Sequence, residues 1–77
     1  MKIFLIKNNE FDCKSDYDAY SGHIIVASNE NDARELAKKG SADEGKDVWE
    51  KATITEEGIY TGAKTEPFIL LSDFNAG

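Results

Sequence analysis

The sequence predicts a small α+β domain of order ββαββ, in which about four mostly antiparallel strands form a sheet with one helix packed on one face. Three observations support this fold class. Residues 2–7 and 23–27 are short apolar runs typical of buried strands. A capped amphipathic segment follows at residues 30–39, and two later segments have strand patterns. With 77 residues, the chain is expected to form one domain, residues 1–77.

The first two strands are predicted from runs that polar residues do not interrupt. Residues 3–6 are consecutive apolar residues between two lysines, and residues 24–27 are apolar and rich in β-branched side chains. Runs of this kind are typical of strands buried on both faces of a sheet. A polar loop, residues 8–22, is expected to connect the two strands.

The helix is predicted to begin at a cap and to end at a glycine. Ser28 or Asn29 can accept the free N–H groups of the first turn, and Gly40 suits a left-handed C-cap. Acidic residues in the first turn and lysines in the last turn match the helix dipole. The apolar face is narrow and lined by small residues, so the helix can lie close to a sheet. This face comprises Ala33, Leu36 and Ala37.

The third strand is predicted from alternation. A polar loop, residues 41–47, leads to Trp49, after which residues 51–56 alternate between apolar and polar side chains. Ala52 and Ile54 are expected on one face, as in a half-exposed strand.

The fourth strand is predicted from an apolar run after a turn. Glycines at residues 58–62 indicate the turn, and Pro67 precedes the run at residues 68–71, which is expected to be buried. The tail, residues 72–77, is expected to fray unless Phe74 docks on the core or a neighbouring subunit holds it.

The excess negative charge is concentrated in two segments. The net charge is −6; residues 10–18 carry four carboxylates and one lysine, and residues 43–57 carry six carboxylates and two lysines. A surface of this sign repels nucleic-acid phosphates and attracts basic partners. Direct nucleic-acid binding is therefore disfavoured, although an acidic surface can also serve solubility alone.

Cysteine content and length indicate the compartment. Cys13 is the only cysteine, so no disulfide forms within the chain, and a reducing compartment, the cytoplasm, is expected. No apolar run approaches the ~20 residues of a membrane span, and residues 1–6 are too short for a signal peptide. A chain of this size has a small core, which assembly into a homo-oligomer would enlarge.

No catalytic constellation stands out, so we expect a binding protein rather than an enzyme, with no cofactor. His23, the only histidine, heads a predicted buried strand and is expected to be structural. Cys13 has no neighbouring group that would activate it, and one cysteine with one histidine supplies half of a zinc site. A Cys13–His23 dyad is left open, but its spacing matches no motif.

Acidic clusters do not predict a metal site or a sugar cleft. Asp12, Asp16 and Asp18 share only composition with a calcium loop, because the central glycine and closing glutamate of an EF-hand are missing. Glu56 and Glu57 are paired carboxylates, but so short a chain offers little scaffold for glycoside chemistry.

Binding residues are predicted where aromatic and acidic side chains occur together, since interface anchors have this composition. Each aromatic ring has the alternative of enlarging the small core, which is favoured for all of them and most strongly for Trp49. The predicted binding set comprises Glu10, Phe11, Asp12, Asp16, Tyr17, Asp18, Tyr20, Asp43, Glu44, Asp47 and Trp49.

Five segments that are spread over most of the chain form a recognisable pattern: residues 1–7, 17–20, 25–30, 33–37 and 69–77. The pattern resembles a family of short, largely uncharacterised proteins of tailed phages and prophages. The resemblance implies a phage or mobile-element origin, and small acidic proteins from that setting often neutralise host proteins, including CRISPR effectors, by stoichiometric binding. It assigns no functional residue.

Two hypotheses of different classes follow. The first is an inhibitor whose acidic segments cover a basic, nucleic-acid-binding surface of a host defence component. The second is a binder or sponge of a signalling nucleotide, with a pocket of Tyr17, Tyr20 and lysine side chains across an oligomer interface. A phage accessory protein without inhibitory activity is a third alternative. The excess negative charge favours the first hypothesis, because anionic ligands require a positive site.

Overall fold

The computed structural model describes residues 1–77, which form four strands and two helices. Along the chain these are β1 (Lys2–Lys7), β2 (Ala19–Ala27), α1 (Glu30–Lys39), α2 (Asp47–Glu50), β3 (Thr53–Ile59) and β4 (Phe68–Asn75). All neighbouring strands are antiparallel, in the spatial order β3-β1-β2-β4. The predicted α+β class and ββαββ order are confirmed, and the single turn of α2 is an addition to them.

The core lies between the sheet and the helices. Phe4 of β1 is directly opposite Ile25 of β2, so both side chains point to the same face. That face packs against α1 and α2. The core cluster comprises Phe4, Ile6, Ile25, Ala27, Ala33, Ala37, Trp49 and Ala52, all buried. The small helix residues allow α1 to lie close to the strands, as predicted.

The caps of α1 differ in part from the expectation. Asn29 is the N-cap, and its side-chain oxygen accepts the N–H of Asp32 at 2.9 Å. Gly40 ends the helix with its N–H donating to the carbonyl of Leu36 at 3.1 Å. Its φ is −92°, so the predicted left-handed C-cap is wrong: the last turn closes without a left-handed residue.

The opposite face of the sheet has no helix over it. Ile3, Leu5 and Ile24 point to this face and are only half-buried. The prediction that β1 and β2 are buried on both faces is therefore wrong for these side chains, because both helices lie on the other face. We call this surface the open face.

Strands β2 and β4 are longer than predicted. β2 begins at Ala19, which pairs with Asn75 of β4. The N–H of Asp18 donates to the carbonyl of Asn75 at 2.6 Å, and the ring of Phe74 packs on Tyr20 at 4.8 Å. Up to residue 75 the tail therefore does not fray, because strand pairing holds it and Phe74 docks on a residue that packs against the core, which is the first of the two alternatives to fraying.

The fourth strand is an edge strand rather than a buried one. β4 pairs only with β2, and its Leu70 and Leu71 side chains are exposed. The prediction of a buried final strand is wrong because one side of β4 has no neighbouring strand.

No helix in the structure combines the length and the apolar composition that a membrane span requires.

Candidate binding site at the acidic end

Two acidic segments that are distant in sequence meet at one end of the molecule. The N–H of Asp43 donates to the carbonyl of Asp18 at 3.0 Å. The carboxylate of Glu44 accepts the N–H of Tyr20 at 3.0 Å. The C-terminal end of residues 10–18 therefore lies against the start of residues 43–47, and we call the two segments together the acidic end.

The acidic end holds most of the excess charge of the chain. Residues 10–18 have a net charge of −3 and residues 43–47 a net charge of −2, within a total of −6. The rest of the predicted acidic segment 43–57 belongs elsewhere. Glu56 lies on β3, where its carboxylate pairs with the Lys2 ammonium at 3.1 Å.

Three aspartates of the loop are used to fold it. The Asp16 carboxylate accepts the N–H of Asp12 at 2.8 Å, and the Asp12 carboxylate accepts the N–H of Lys14 at 2.9 Å. The second of these bonds forms an Asx turn, a usual role of aspartate in tight loops. Asp18 has a left-handed φ of 53° and accepts the N–H of Gly77 at 3.1 Å. These carboxylates carry charge but also hold the loop backbone.

Glu44 joins the acidic end to the core. Its two carboxylate oxygens accept three hydrogen bonds, from the N–H groups of Tyr20 and Ala42 and from the indole Nε1–H of Trp49, the last at 2.9 Å. A carboxylate satisfied in this way has little capacity left for a partner. Glu44 therefore positions the site more than it contacts a ligand.

Three carboxylates of the acidic end remain free. Glu10, Asp43 and Asp47 are exposed, and their carboxylates have no hydrogen-bond or ion-pair partner in the structure. They are the groups of this surface whose charge a basic partner would meet without competition.

The four predicted aromatic binding residues occupy different environments. Tyr17 is 52% exposed, Phe11 is half-buried, and Tyr20 packs against the core cluster. Trp49 is fully buried, so its place in the predicted binding set is wrong. The Arg34 guanidinium donates to the Trp49 carbonyl at 2.9 Å, which helps to fix α2 and its indole in the core.

His23 is enclosed by aromatic rings. It lies between Tyr20 and Trp49, with ring centroids 4.7 Å and 4.9 Å away. Its Nδ1 is 2.7 Å from the Ser72 hydroxyl, and its Nε2 is buried without a partner. Burial lowers the pKa of His23 below its ordinary value, and the Glu44 carboxylate opposes this shift only in part. This setting fits the structural role predicted for the histidine.

Cys13 and the acidic loop show no metal-binding arrangement. The Cys13 thiol is free and exposed. No group of three or more His, Cys, Asp or Glu side chains is arranged to hold a metal ion.

A groove on the open face was not predicted from the sequence. Its volume is about 620 Å³, and its apolar lining consists of Leu5, Phe11, Ile24 and Leu71. Lys7 and Asp73 also line it. The signal was present in the apolar runs of β1 and β2, since a single helical layer covers only one face of a sheet.

Comparison with protein-family models, with curated proteins and with solved structures gives no match for this chain. The acidic end combines carboxylates that hold the loop backbone, carboxylates without a hydrogen-bond partner and an exposed tyrosine. Its negative charge favours a cationic partner.

Proposed function

We propose that this chain is a small phage-type protein that binds a host protein stoichiometrically, in the cytoplasm, and acts by binding rather than by catalysis. The partner is a nucleic-acid-binding component of a defence system, of the CRISPR type, and the acidic end covers its basic surface. One observation carries the proposal: the hydrogen bond from the Asp43 N–H to the Asp18 carbonyl joins two acidic segments that are distant in sequence.

The electrostatics of the acidic end support this partner class. A protein that binds nucleic acid presents lysines and arginines spaced for phosphates. A surface with a net charge of −5 attracts such a site at long range and competes with the nucleic acid for it. Tyr17, exposed at the same end, offers an aromatic anchor of the kind that interfaces favour.

A signalling nucleotide is the second candidate ligand, and the groove on the open face is the observation in its favour. Lys7 lines this groove and provides a positive charge for a phosphate. Tyr17 and Tyr20, the predicted stacking residues, do not line it. Asp73 in the same lining would repel the phosphate, so this candidate ranks below the first.

The test uses the three free carboxylates, because their reversal leaves the loop hydrogen bonds intact. A Glu10→Lys/Asp43→Lys/Asp47→Lys variant is compared with a Glu56→Lys/Glu57→Lys/Glu66→Lys variant, which changes the net charge equally but outside the acidic end. The unmodified protein and both variants are used to capture partners from host lysate at low and high salt, with identification by mass spectrometry.

The proposal predicts a captured nucleic-acid-binding protein that added DNA displaces and that high salt releases. The first variant should lose it, with association at least about tenfold slower, and the control variant should retain it. Equal retention by both variants would rule out the acidic end as the binding surface. Calorimetric titration with a nucleotide panel tests the second candidate, which heat release from a nucleotide would support instead.

A further inference from the structure

The two edges of the sheet are unlike. β3 carries the exposed carboxylates Glu56 and Glu57, and charged side chains of this kind discourage another strand from pairing with an edge. β4 instead exposes Leu70, Leu71 and Phe74 and has a single charged residue, Asp73. An exposed apolar edge strand is a template for a further strand.

We propose that β4 pairs in antiparallel fashion with β4 of a second copy of this chain. The two-fold axis passes between Leu70 and Leu71, so that Leu70 of one copy lies opposite Leu71 of the other. The two sheets join into one continuous sheet of eight strands. The pairing sets Phe68 of one copy opposite Asp73 of the other and Ile69 opposite Ser72. This inference is independent of the proposed function, since it uses neither the acidic end nor a host protein.

A bulge in β4 selects this register. Ile24 of β2 pairs with Leu71, whereas the next residue, Ile25, pairs with Ile69, so Leu70 is an extra residue. Beyond the bulge the alternation of β4 is shifted by one. Phe68 and Asp73 consequently point to the open face, opposite Val26 and Gly22 of β2.

The same shift also places the paired residues of β4 on a common face at the helix side of the sheet. Ile69 and Ser72 point toward the helices, where Ile69 packs against the core and Ser72 contacts His23. Directly opposed residues in antiparallel strands point to the same face. The proposed register satisfies this condition on both sides of the bulge.

Charge complementarity supports a second copy as the occupant. The Lys64 ammonium lies 4.4 Å from the centroid of the Phe68 ring and has no carboxylate partner in its own chain. In the proposed register, Asp73 of the second copy lies opposite Phe68 and therefore beside this ammonium. Because the dimer has two-fold symmetry, the ion pair between Lys64 of one copy and Asp73 of the other forms twice.

Apolar burial acts in the same direction. Leu71, 63% exposed, lies with Leu70 at the axis and meets the same side chains of the second copy. Phe74, 44% exposed, faces Pro67 of the second copy, and the missing N–H of Pro67 ends the new ladder there. One register thus covers the three exposed apolar side chains of the edge.

The test measures mass by sedimentation velocity from about 1 µM to about 300 µM, the range in which a small interface dissociates. The full chain is compared with Leu71→Lys, Lys64→Asp, Asp73→Lys and the double reversal. Ser21→Ala is the control, because Asp73 also accepts the Ser21 hydroxyl at 2.5 Å and this variant removes that bond while leaving the charge. Circular dichroism verifies that each variant is folded.

The proposal predicts a concentration-dependent dimer of the unmodified chain. Leu71→Lys should be monomeric, each single reversal should weaken the dimer about tenfold or more, and the double reversal should restore it to within about threefold. Ser21→Ala should leave the dimer unchanged. A monomer throughout the concentration range overturns the proposal, and so does a dimer that Leu71→Lys or the single reversals leave intact, since another surface would then form it.

Discussion

The two faces of the sheet are built from the same two apolar strands but have opposite environments. On the helix side, Phe4 and Ile25 are fully buried under α1 and α2. On the open face, Leu5 and Ile24 are half-buried beside a groove of about 620 Å³. Residue type thus sets the tendency to be buried, whereas the number of covering layers sets which residues are buried. An open apolar surface of this kind is available for binding.

At one end of the open face a side chain is buried although no helix covers it. Val26 points to the open face but is fully buried. Phe68 lies opposite Val26, and Tyr60 packs edge-on against Phe68 at 5.4 Å. The loop that connects β3 and β4, residues 60–67, thus covers locally what no helix covers.

The largest effect is expected at Trp49, on the helix side. Trp49→Ala removes the largest fully buried side chain and should cost about 3–5 kcal/mol, comparable to the whole stability of so small a domain. We therefore expect a largely unfolded chain by circular dichroism and urea titration.

A conservative variant separates packing from hydrogen bonding at the same site. Trp49→Phe keeps most of the apolar volume but removes the Nε1–H that Glu44 accepts, so we expect a folded protein destabilised by about 1–3 kcal/mol. A folded Trp49→Ala protein with an unchanged urea midpoint would show that the indole contributes little to the core.

Adjacent isoleucines of β2 give the sharpest test of the two faces. Ile25→Ala opens a cavity under the helices and should cost about 3 kcal/mol, whereas Ile24→Ala, on the open face, should cost about 1 kcal/mol. Urea denaturation measures both free energies of unfolding. Equal losses would mean that something covers the open face in solution as fully as the helices cover the other.

The smallest effect is a pH dependence at His23. Because burial lowers the pKa of His23 in the folded state, the unfolded chain binds a proton more readily than the folded one. The resulting stability is fully present above the unfolded pKa of about 6.5 and is lost as the pH falls below it.

Urea titrations between pH 8 and pH 5 should therefore show a decreasing free energy of unfolding, and His23→Gln should show a flatter profile over the same interval. A parallel decrease in both proteins would assign the pH dependence to the carboxylates instead. An NMR titration of the His23 ring protons locates its pKa directly.

Much of the fold was predictable, and most of the errors share a cause. The strand runs and the Asn29 N-cap of α1 are local patterns that the structure contains, whereas the left-handed C-cap predicted at Gly40 is a local error. The other errors concern neighbours: β4 is an edge strand, and Ala19 extends β2 because Asn75 pairs with it. Neighbours that are distant in sequence leave no mark on local periodicity.

The candidate site was predictable in composition but not in geometry. The charge of residues 10–18 and 43–47 is evident from the sequence, and so are the aromatic residues among them. Their roles were not. Glu44 holds a core indole, and Trp49 contributes to the core rather than to the surface. A carboxylate on a binding surface and one that accepts backbone N–H groups look the same in a sequence.

The four strands, α1, their order and the location of the excess charge could be read from the sequence, because each depends on residues that are near neighbours along the chain. The meeting of the Asp43 N–H with the Asp18 carbonyl, the open face and the edge position of β4 are visible only in the folded molecule. They depend on how β2 and α1 pack in space, and packing is a property of the whole chain.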